Sequence, residues 1–364
     1  MKVAIITHSL RYNYGGILQN YALQQVLKRM GHEPITLKIF RVFPQKPVLY
    51  VKYLAKALLG MKRLWPMSKR RMDAICVNTD KFINAHIEMS PLMNFIDRNW
   101  VICQNYDAFV VGSDQILHPG SYTRIEDIFL SFVENDKKIM YAASFGGEKW
   151  MYSQTQEKEC AKYIRKFKAV SIRENTGVTF MKDKFGVNAN LVLDPTLLLK
   201  AEDYRKLIQS NSTENSIVTY ILDPTIEKNT LISTCSKILG KNAVQAGNDQ
   251  MDNPCAKIKD RVAPSVETWL EKIANADFII TDSYHGTIFS IIFKKNFITI
   301  GNHKRGMDRF STILGMIGLS DRLVLDPKKD CDRLFLTLID YGKVYSLLEK
   351  HQEESTALLR KSFC

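Results

Sequence analysis

The sequence predicts an α/β protein made of two doubly wound units, each a mostly parallel sheet with helices on both faces. Three observations predict it. Short apolar runs alternate with helix-spaced amphipathic segments along most of the chain. The alternation stops at a polar stretch, Ser210 to Asn215, and then restarts. Polar clusters fall where the apolar runs end, which is where open parallel sheets bind ligands.

Val3 to Thr7 is an apolar run suited to a buried parallel strand. After Gly15-Gly16, Ile17 to Met30 reads as an amphipathic helix, closed by Gly31. Pro34 to Ile39 reads as the next strand. Tyr106 to Val111 and Lys138 to Ala142 are further strands, and Glu157 to Lys166 is helical. Ala169 to Ile172 is a strand, a helix starts at Asn175, and Asn190 to Leu193 is a strand ending in Asp194-Pro195.

In the second unit, Ile217 to Leu222 is a strand, Leu231 to Leu239 a helix and Asn242 to Gln245 a weak strand. Ser265 can cap a helix over Val266 to Asn275. Asp277 to Thr281 is a strand, Asp282 to His285 a loop, Gly286 to Phe293 a helix and Phe297 to Ile300 a strand. Arg333 to Tyr341 and Tyr345 to Arg360 read as helices. The expected boundaries are 1–200, 210–330 and a helical tail over 331–364.

The 364 residues suggest about two domains and can bury large cores without metal or disulfide staples. Seven cysteines, an odd number and none in a C-x-x-C pair, predict reduced thiols in a cytosolic protein. No convincing metal-ligand spacing occurs, so no metal is expected. Met1 to His8 is too short and too soon polar for a signal peptide, and no run of about 18 apolar residues spans a membrane.

The net charge of +13 is unevenly placed. Between Glu33 and Asp73 the chain has ten basic residues and no acid. The remainder is nearly neutral, which argues against a nucleic-acid-coating surface. Within this segment, Val48 to Leu64 mixes leucines and tyrosines with Lys52, Lys56, Lys62 and Arg63. Such a helix can lie on an anionic membrane or pack on the first domain with a wet basic face.

Five further clusters can carry chemistry. His8 to Gly16, with Gln19 and Asn20, offers paired glycines and a helix N-terminus but no dinucleotide fingerprint. Ser113 and Asp114, in Gly112-Ser113-Asp114-Gln115, can hold sugar hydroxyls or take a proton, or can simply cap the next element. Arg173, in Ser171-Ile172-Arg173-Glu174, can grip a carboxylate or phosphate, or can form a surface pair with Glu174. Thr281-Asp282-Ser283-Tyr284-His285-Gly286-Thr287 sets a histidine at the mouth of the sheet beside a helix N-terminus. Asn302 to Phe310 follows the next strand, so Lys304, Arg305 and Arg309 can face the same cleft.

Several of these runs together resemble the polysaccharide pyruvyl transferases. They are Tyr12-Asn13-Tyr14-Gly15-Gly16 with Leu18-Gln19-Asn20-Tyr21-Ala22-Leu23, Val110-Val111-Gly112-Ser113-Asp114-Gln115, Ser171-Ile172-Arg173-Glu174, Leu193-Asp194-Pro195-Thr196-Leu197-Leu198 and Thr281-Asp282-Ser283-Tyr284-His285-Gly286. They occur in order from about residue 1 to about residue 325. The resemblance implies a fold like that of GT-B glycosyltransferases, two Rossmann-like domains facing a cleft.

It also implies transfer of the pyruvyl group of phosphoenolpyruvate onto sugar hydroxyls, leaving a ketal and releasing phosphate. No cofactor is implied beyond phosphoenolpyruvate as donor substrate. On this reading His285 and Asp114 are catalytic. Arg173, Ser283, Gly286, Thr287, Lys304, Arg305 and Arg309 bind the donor. Asn13, Tyr14, Gly15, Gly16, Gln19, Asn20, Ser113 and Gln115 bind the acceptor. Some members have an arginine two residues before the histidine, where this chain has Ser283, so donor charge must be met by Lys304, Arg305 or Arg309.

The expected partners are phosphoenolpyruvate, a capsule or exopolysaccharide glycan (free or lipid-diphosphate-linked) and an anionic membrane surface. The expected location is the cytoplasm, or peripherally the inner face of the cell membrane. A glycosyltransferase using a nucleotide sugar and a non-catalytic anion-binding protein of polysaccharide assembly are the alternatives.

Overall fold

The computed structural model describes residues 1–39, 69–93, 96–121, 124–208, 216–251, 253, 255–302, 305–329 and 331–364. The expected basic helix over Val48 to Leu64, the polar stretch from Ser210 to Asn215, and Lys304 lie outside the described residues.

The described residues form two parallel sheets. The first contains β1 (Lys2–Ile6), β2 (Glu33–Thr36), β3 (Ala108–Gly112), β4 (Lys138–Ala143), β5 (Ala169–Ile172) and β6 (Asn190–Leu191), in the order β2-β1-β3-β4-β5-β6. The second contains β7 (Ile217–Tyr220), β8 (Ala243–Gln245), β9 (Phe278–Thr281), β10 (Asn296–Ile300) and β11 (Leu323–Val324), in the order β11-β10-β9-β7-β8. Central strands such as β3, AFVVG, are buried throughout because helices cover both faces. The strand order reverses at β1/β3 in one sheet and at β7/β9 in the other. Those two points open the crevices where doubly wound sheets bind ligands.

Helix α1 (Tyr14–Arg29) follows β1; Asn13 caps it by accepting from Gly16 N. Helix α2 (Val77–His86) packs beside it. Helix α3 (Asn175–Phe180) follows β5, α4 (Ile226–Leu239) follows β7, and α5 (Val266–Asn275) is capped by Ser265 as expected. Helix α6 spans Tyr284–Ile292, two residues earlier than the expected start at Gly286. Ser283 is its N-cap, accepting from Gly286 N, so Tyr284 and His285 stand in its first turn rather than in a loop. Helix α7 (Asp308–Met316) replaces the end of an expected basic loop. Its apolar stripe, Phe310, Ile313 and Leu314, is short and interrupted by Ser311, Thr312 and Gly315.

The two halves share one apolar core. Tyr14 of α1 stacks on Trp269 of α5 at 5.3 Å, and Trp269 meets Phe289 of α6 edge-on at 5.3 Å. The Tyr14 hydroxyl donates to Pro264 O at 2.9 Å. On the far side, Asp308 and Thr312 of α7 accept from Thr176 N (2.6 Å) and Asn175 N (3.2 Å), satisfying the first turn of α3. Helix α8 (Tyr341–Lys361) crosses both halves. Its Tyr345 hydroxyl donates to Ile292 O, and its Ser355 accepts from Leu193 N. No described helix is long and apolar enough to cross a membrane.

Candidate active site between the two sheets

The strand ends converge on one buried cluster. Ser113 and Asp114 follow β3 with φ of 41° and 57°, a left-handed turn that non-glycine residues rarely adopt. It aims Asp114 across to Arg173, which stands at the end of β5. The Arg173 side chain is fully buried. Its Nη1 donates to Asp194 Oδ2 at 2.5 Å and its Nη2 to Asp114 Oδ1 at 3.3 Å. Asp194 is the hub: it also accepts from Ser113 Oγ (3.0 Å), Thr196 N (3.0 Å) and Thr196 Oγ1 (2.7 Å).

The second half contributes His285, Tyr284 and Arg309. His285 Nε2 lies 3.7 Å from Asp194 Oδ2, beyond hydrogen-bond range. The imidazole rests on Gly15, where an added Cβ would lie 1.9 Å from Nδ1. That close approach explains the glycine. Arg173 and Arg309 both sit on the Tyr284 ring, their Cζ atoms 4.8 and 5.4 Å from its centroid. In the amide orientation that satisfies both groups, Gln115 accepts from Arg309 Nη1 and Nη2 at 3.0 and 2.8 Å. Arg309 also donates to Arg305 O.

The charges are strongly coupled. Burial works against the charge of Asp194, yet contacts with His285, Arg173 and Thr196 hold its carboxyl far below the usual range. Burial opposes ionisation of Asp114 as well, and Arg173, His8, His285 and Arg309 outweigh it. Glu174 goes the other way: burial pushes its carboxyl up, against the pull of Arg173 and Arg309. Burial and the neighbouring Arg173 lower Arg309 to about 10. Among the described residues, four buried polar atoms in this cluster have no hydrogen-bond partner: Arg173 Nε, Arg309 Nε, Glu174 Oε2 and His285 Nε2. Unpaired buried donors and acceptors are costly, so their concentration here makes this cluster the candidate ligand site.

The remaining expected residues divide clearly. Gly16 lies against Asp114, its Cβ position 3.4 Å from Oδ2. Gln19 and Asn20 face inward: Gln19 bonds Thr7 and Gly16 O, and Asn20 accepts from Thr36, both fully buried in the first half. Thr287 is bound to Ser283 O and Thr299, and Gly286 is packed against Thr281. Arg305 leaves the cluster to pair with Asp223 at 2.6 Å. That pair belongs to a second polar knot, in which Asp282 takes Lys228 Nζ at 2.6 Å and Asn302 donates to Asp223 and Asp282.

Sequence reasoning missed Asp194, Glu174 and Tyr284 as members of the site. Asp194-Pro195 stands at a strand end, as the other clusters do, and that was its signal. Among the described residues no group of three or more His, Cys, Asp or Glu could hold a metal ion.

The fold resembles two solved structures across nearly their whole length. Arabidopsis thaliana UGT89C1 complexed with UDP-L-rhamnose matches with TM-score 0.53 at 11% identity, covering 100% of this chain and 99% of that one. A putative UDP-N-acetylglucosamine 2-epimerase from Listeria monocytogenes matches with TM-score 0.51 at 10% identity, covering 99% and 91%. At that identity the likeness establishes the two-domain GT-B-type fold. Among curated proteins none matches the chain. The family model "Polysaccharide pyruvyl transferase" matches residues 13–304, which takes in the first-half turn, the Arg173 strand end and the His285 helix. The chain therefore belongs to the polysaccharide pyruvyl transferase family.

Proposed function

We propose that this protein transfers the pyruvyl group of phosphoenolpyruvate to two hydroxyls of a sugar in a surface polysaccharide or its precursor. The product is a pyruvate ketal, and phosphate is released. One observation carries the reading. Two buried guanidinium groups from opposite halves, Arg173 and Arg309, lie on one tyrosine ring beside His285, and the Nε of each has no hydrogen-bond partner among the described residues. A small, densely anionic donor suits that arrangement, because desolvated arginines bind carboxylate and phosphate oxygens strongly. Arg309 takes the place of the cation that Ser283 does not supply.

In this scheme His285, protonated, gives its proton to C3 of the enol ether, and C2 becomes electrophilic. A sugar hydroxyl attacks C2, and the neutral imidazole takes the hydroxyl proton. The second hydroxyl then displaces phosphate at C2 and closes the ketal, its proton leaving with the phosphate. Asp114 is a poor proton acceptor because Arg173 holds its carboxyl low. We assign it instead to fixing Arg173 beside the donor.

The test is phosphate release from phosphoenolpyruvate in the presence of free and lipid-linked glycans, with wild-type protein and His285→Ala. Wild type should release phosphate only with an acceptor, and the variant should lose at least a hundredfold in rate with an unchanged far-UV spectrum. Consumption of a nucleotide sugar instead of phosphoenolpyruvate, or an unimpaired variant, would overturn the assignment.

A further inference from the structure

Three charged or titratable groups of the site meet on one side chain, that of Tyr284. It opens helix α6, directly after the Ser283 cap and directly before His285, and it is buried. Arg173 reaches its ring from the end of β5 in the first half, and Arg309 reaches it from α7 in the second. Their Cζ atoms lie 4.8 and 5.4 Å from the ring centroid, inside the ~6 Å reach of a cation–π contact. His285 packs edge-on to the same ring, with centroids 5.2 Å apart and planes at 83°.

The two guanidiniums are held differently. Arg173 has carboxylate partners, Asp194 at 2.5 Å and Asp114 at 3.3 Å. Arg309 hydrogen-bonds neutral oxygens, those of Gln115 and of the Arg305 backbone. A buried cation whose hydrogen-bond partners carry no charge gains from any further negative potential in contact with it. The face of an aromatic ring supplies that potential through its quadrupole. An aliphatic side chain would fill the same space and supply none. Burial, followed by the charge of Asp194, pushes the Tyr284 hydroxyl above its usual range, so the ring stays a neutral phenol.

We propose that Tyr284 is a positioning residue: its ring holds Arg309 beside Arg173 across the two halves, and so sets the affinity of the pair for a small anion. That the anion is phosphoenolpyruvate rests on the pyruvyl-transfer reading. That the ring serves the two arginines does not.

A fluorine series at this position tests the proposal on the full chain. Tyr284 is replaced by phenylalanine, then by 4-fluoro-, 3,5-difluoro- and 3,4,5-trifluorophenylalanine. Fluorine drains the ring face while nearly keeping its shape. Calorimetric titration with phosphoenolpyruvate, and separately with inorganic phosphate, reads the affinity for two anions. Tyr284→Phe should bind each anion within about threefold of wild type. Affinity should then fall with each added fluorine, by at least tenfold at three. Tenfold is about 1.4 kcal/mol, within what a desolvated cation–π contact contributes. Tyr284→Leu should lose at least as much. Far-UV circular dichroism should stay unchanged along the series, which separates lost affinity from lost fold. Affinity that ignores the fluorines, or a loss already complete in Tyr284→Phe, would overturn the proposal, the second by moving the role to the hydroxyl. Wild type that binds neither anion would overturn it as well. If phosphate affinity follows the fluorines and phosphoenolpyruvate does not bind, the donor reading falls and the role of the ring stands.

Discussion

Asp194→Asn isolates the hub of the site. The substitution keeps the size of the side chain and the oxygen that accepts from Thr196 N and Oγ1. It removes the charge that faces Arg173 at 2.5 Å, with both side chains fully buried. Breaking a buried ion pair by removing one partner costs about 3–5 kcal/mol. Asp114 still meets Arg173 at 3.3 Å, so the lower end, about 3 kcal/mol, is expected at pH 7. With a urea slope near the top of the usual range, about 3 kcal/mol per molar, the unfolding midpoint should drop by roughly 1 M. The pH dependence adds a second constraint. The Asp194 carboxyl is held far below its unfolded value of about 3.9, so its stabilisation is complete above that pH and is lost as pH falls. The gap between wild type and variant should be constant from pH 7 to 5 and shrink below about pH 4. A gap under about 1 kcal/mol at pH 7, or one that persists unchanged to pH 3, would refute the assignment of a buried, ionised hub.

Glu174→Gln should behave oppositely. Its raised carboxyl contributes stability below the unfolded value of about 4.3 and loses it as pH rises, so at pH 7 the neutral amide should cost less than about 1 kcal/mol by urea unfolding, since an amide oxygen can still accept from Phe145 N. Gly15→Ala drives a Cβ to 1.9 Å from His285 Nδ1, so the imidazole must swing away; turnover should fall about a hundredfold, read as phosphate release alongside circular dichroism. Trp269→Ala removes the ring that stacks on Tyr14 in the shared core and should cost about 3–5 kcal/mol, read by denaturant unfolding.

The fold was legible because it rests on local patterns. Runs such as Phe109 to Val111 and Phe278 to Thr281 are buried on both faces, and their continuous apolarity announces a parallel strand. Ser265 announced its helix through capping chemistry, and the helix spans Val266–Asn275 as expected. Misplaced boundaries trace to competing signals. Tyr284 and His285 read as loop because Asp282 and Ser283 precede them and Gly286 follows, yet Ser283 is the cap and the helix starts at once. Helix α7 was hidden by its serine, threonine and glycine positions, which break the apolar period.

The site was legible as a set of strand ends but not as an assembly. Arg173, Asp114 and His285 each stood out beside an apolar run, and the sheets bring all three to one place. Partner choice was not legible, because it depends on which strand ends are neighbours across the switch points. Arg173 next to Glu174 in sequence suggested a surface pair. In the fold the guanidinium turns away to Asp194 and Asp114, and its nearest approach to Glu174 is 4.0 Å. The same geometry separates three cationic candidates that look alike in sequence. Arg305 is taken by Asp223, Lys304 lies outside the described residues, and Arg309, one helical turn after Arg305, points back onto Tyr284. Two like charges held on one buried ring repel, and three carboxyl groups surround them. Two of those carboxyls are firmly ionised and the third, Glu174, is pushed towards its neutral form. A cluster so balanced keeps two guanidiniums buried although the Nε of each makes no hydrogen bond among the described residues.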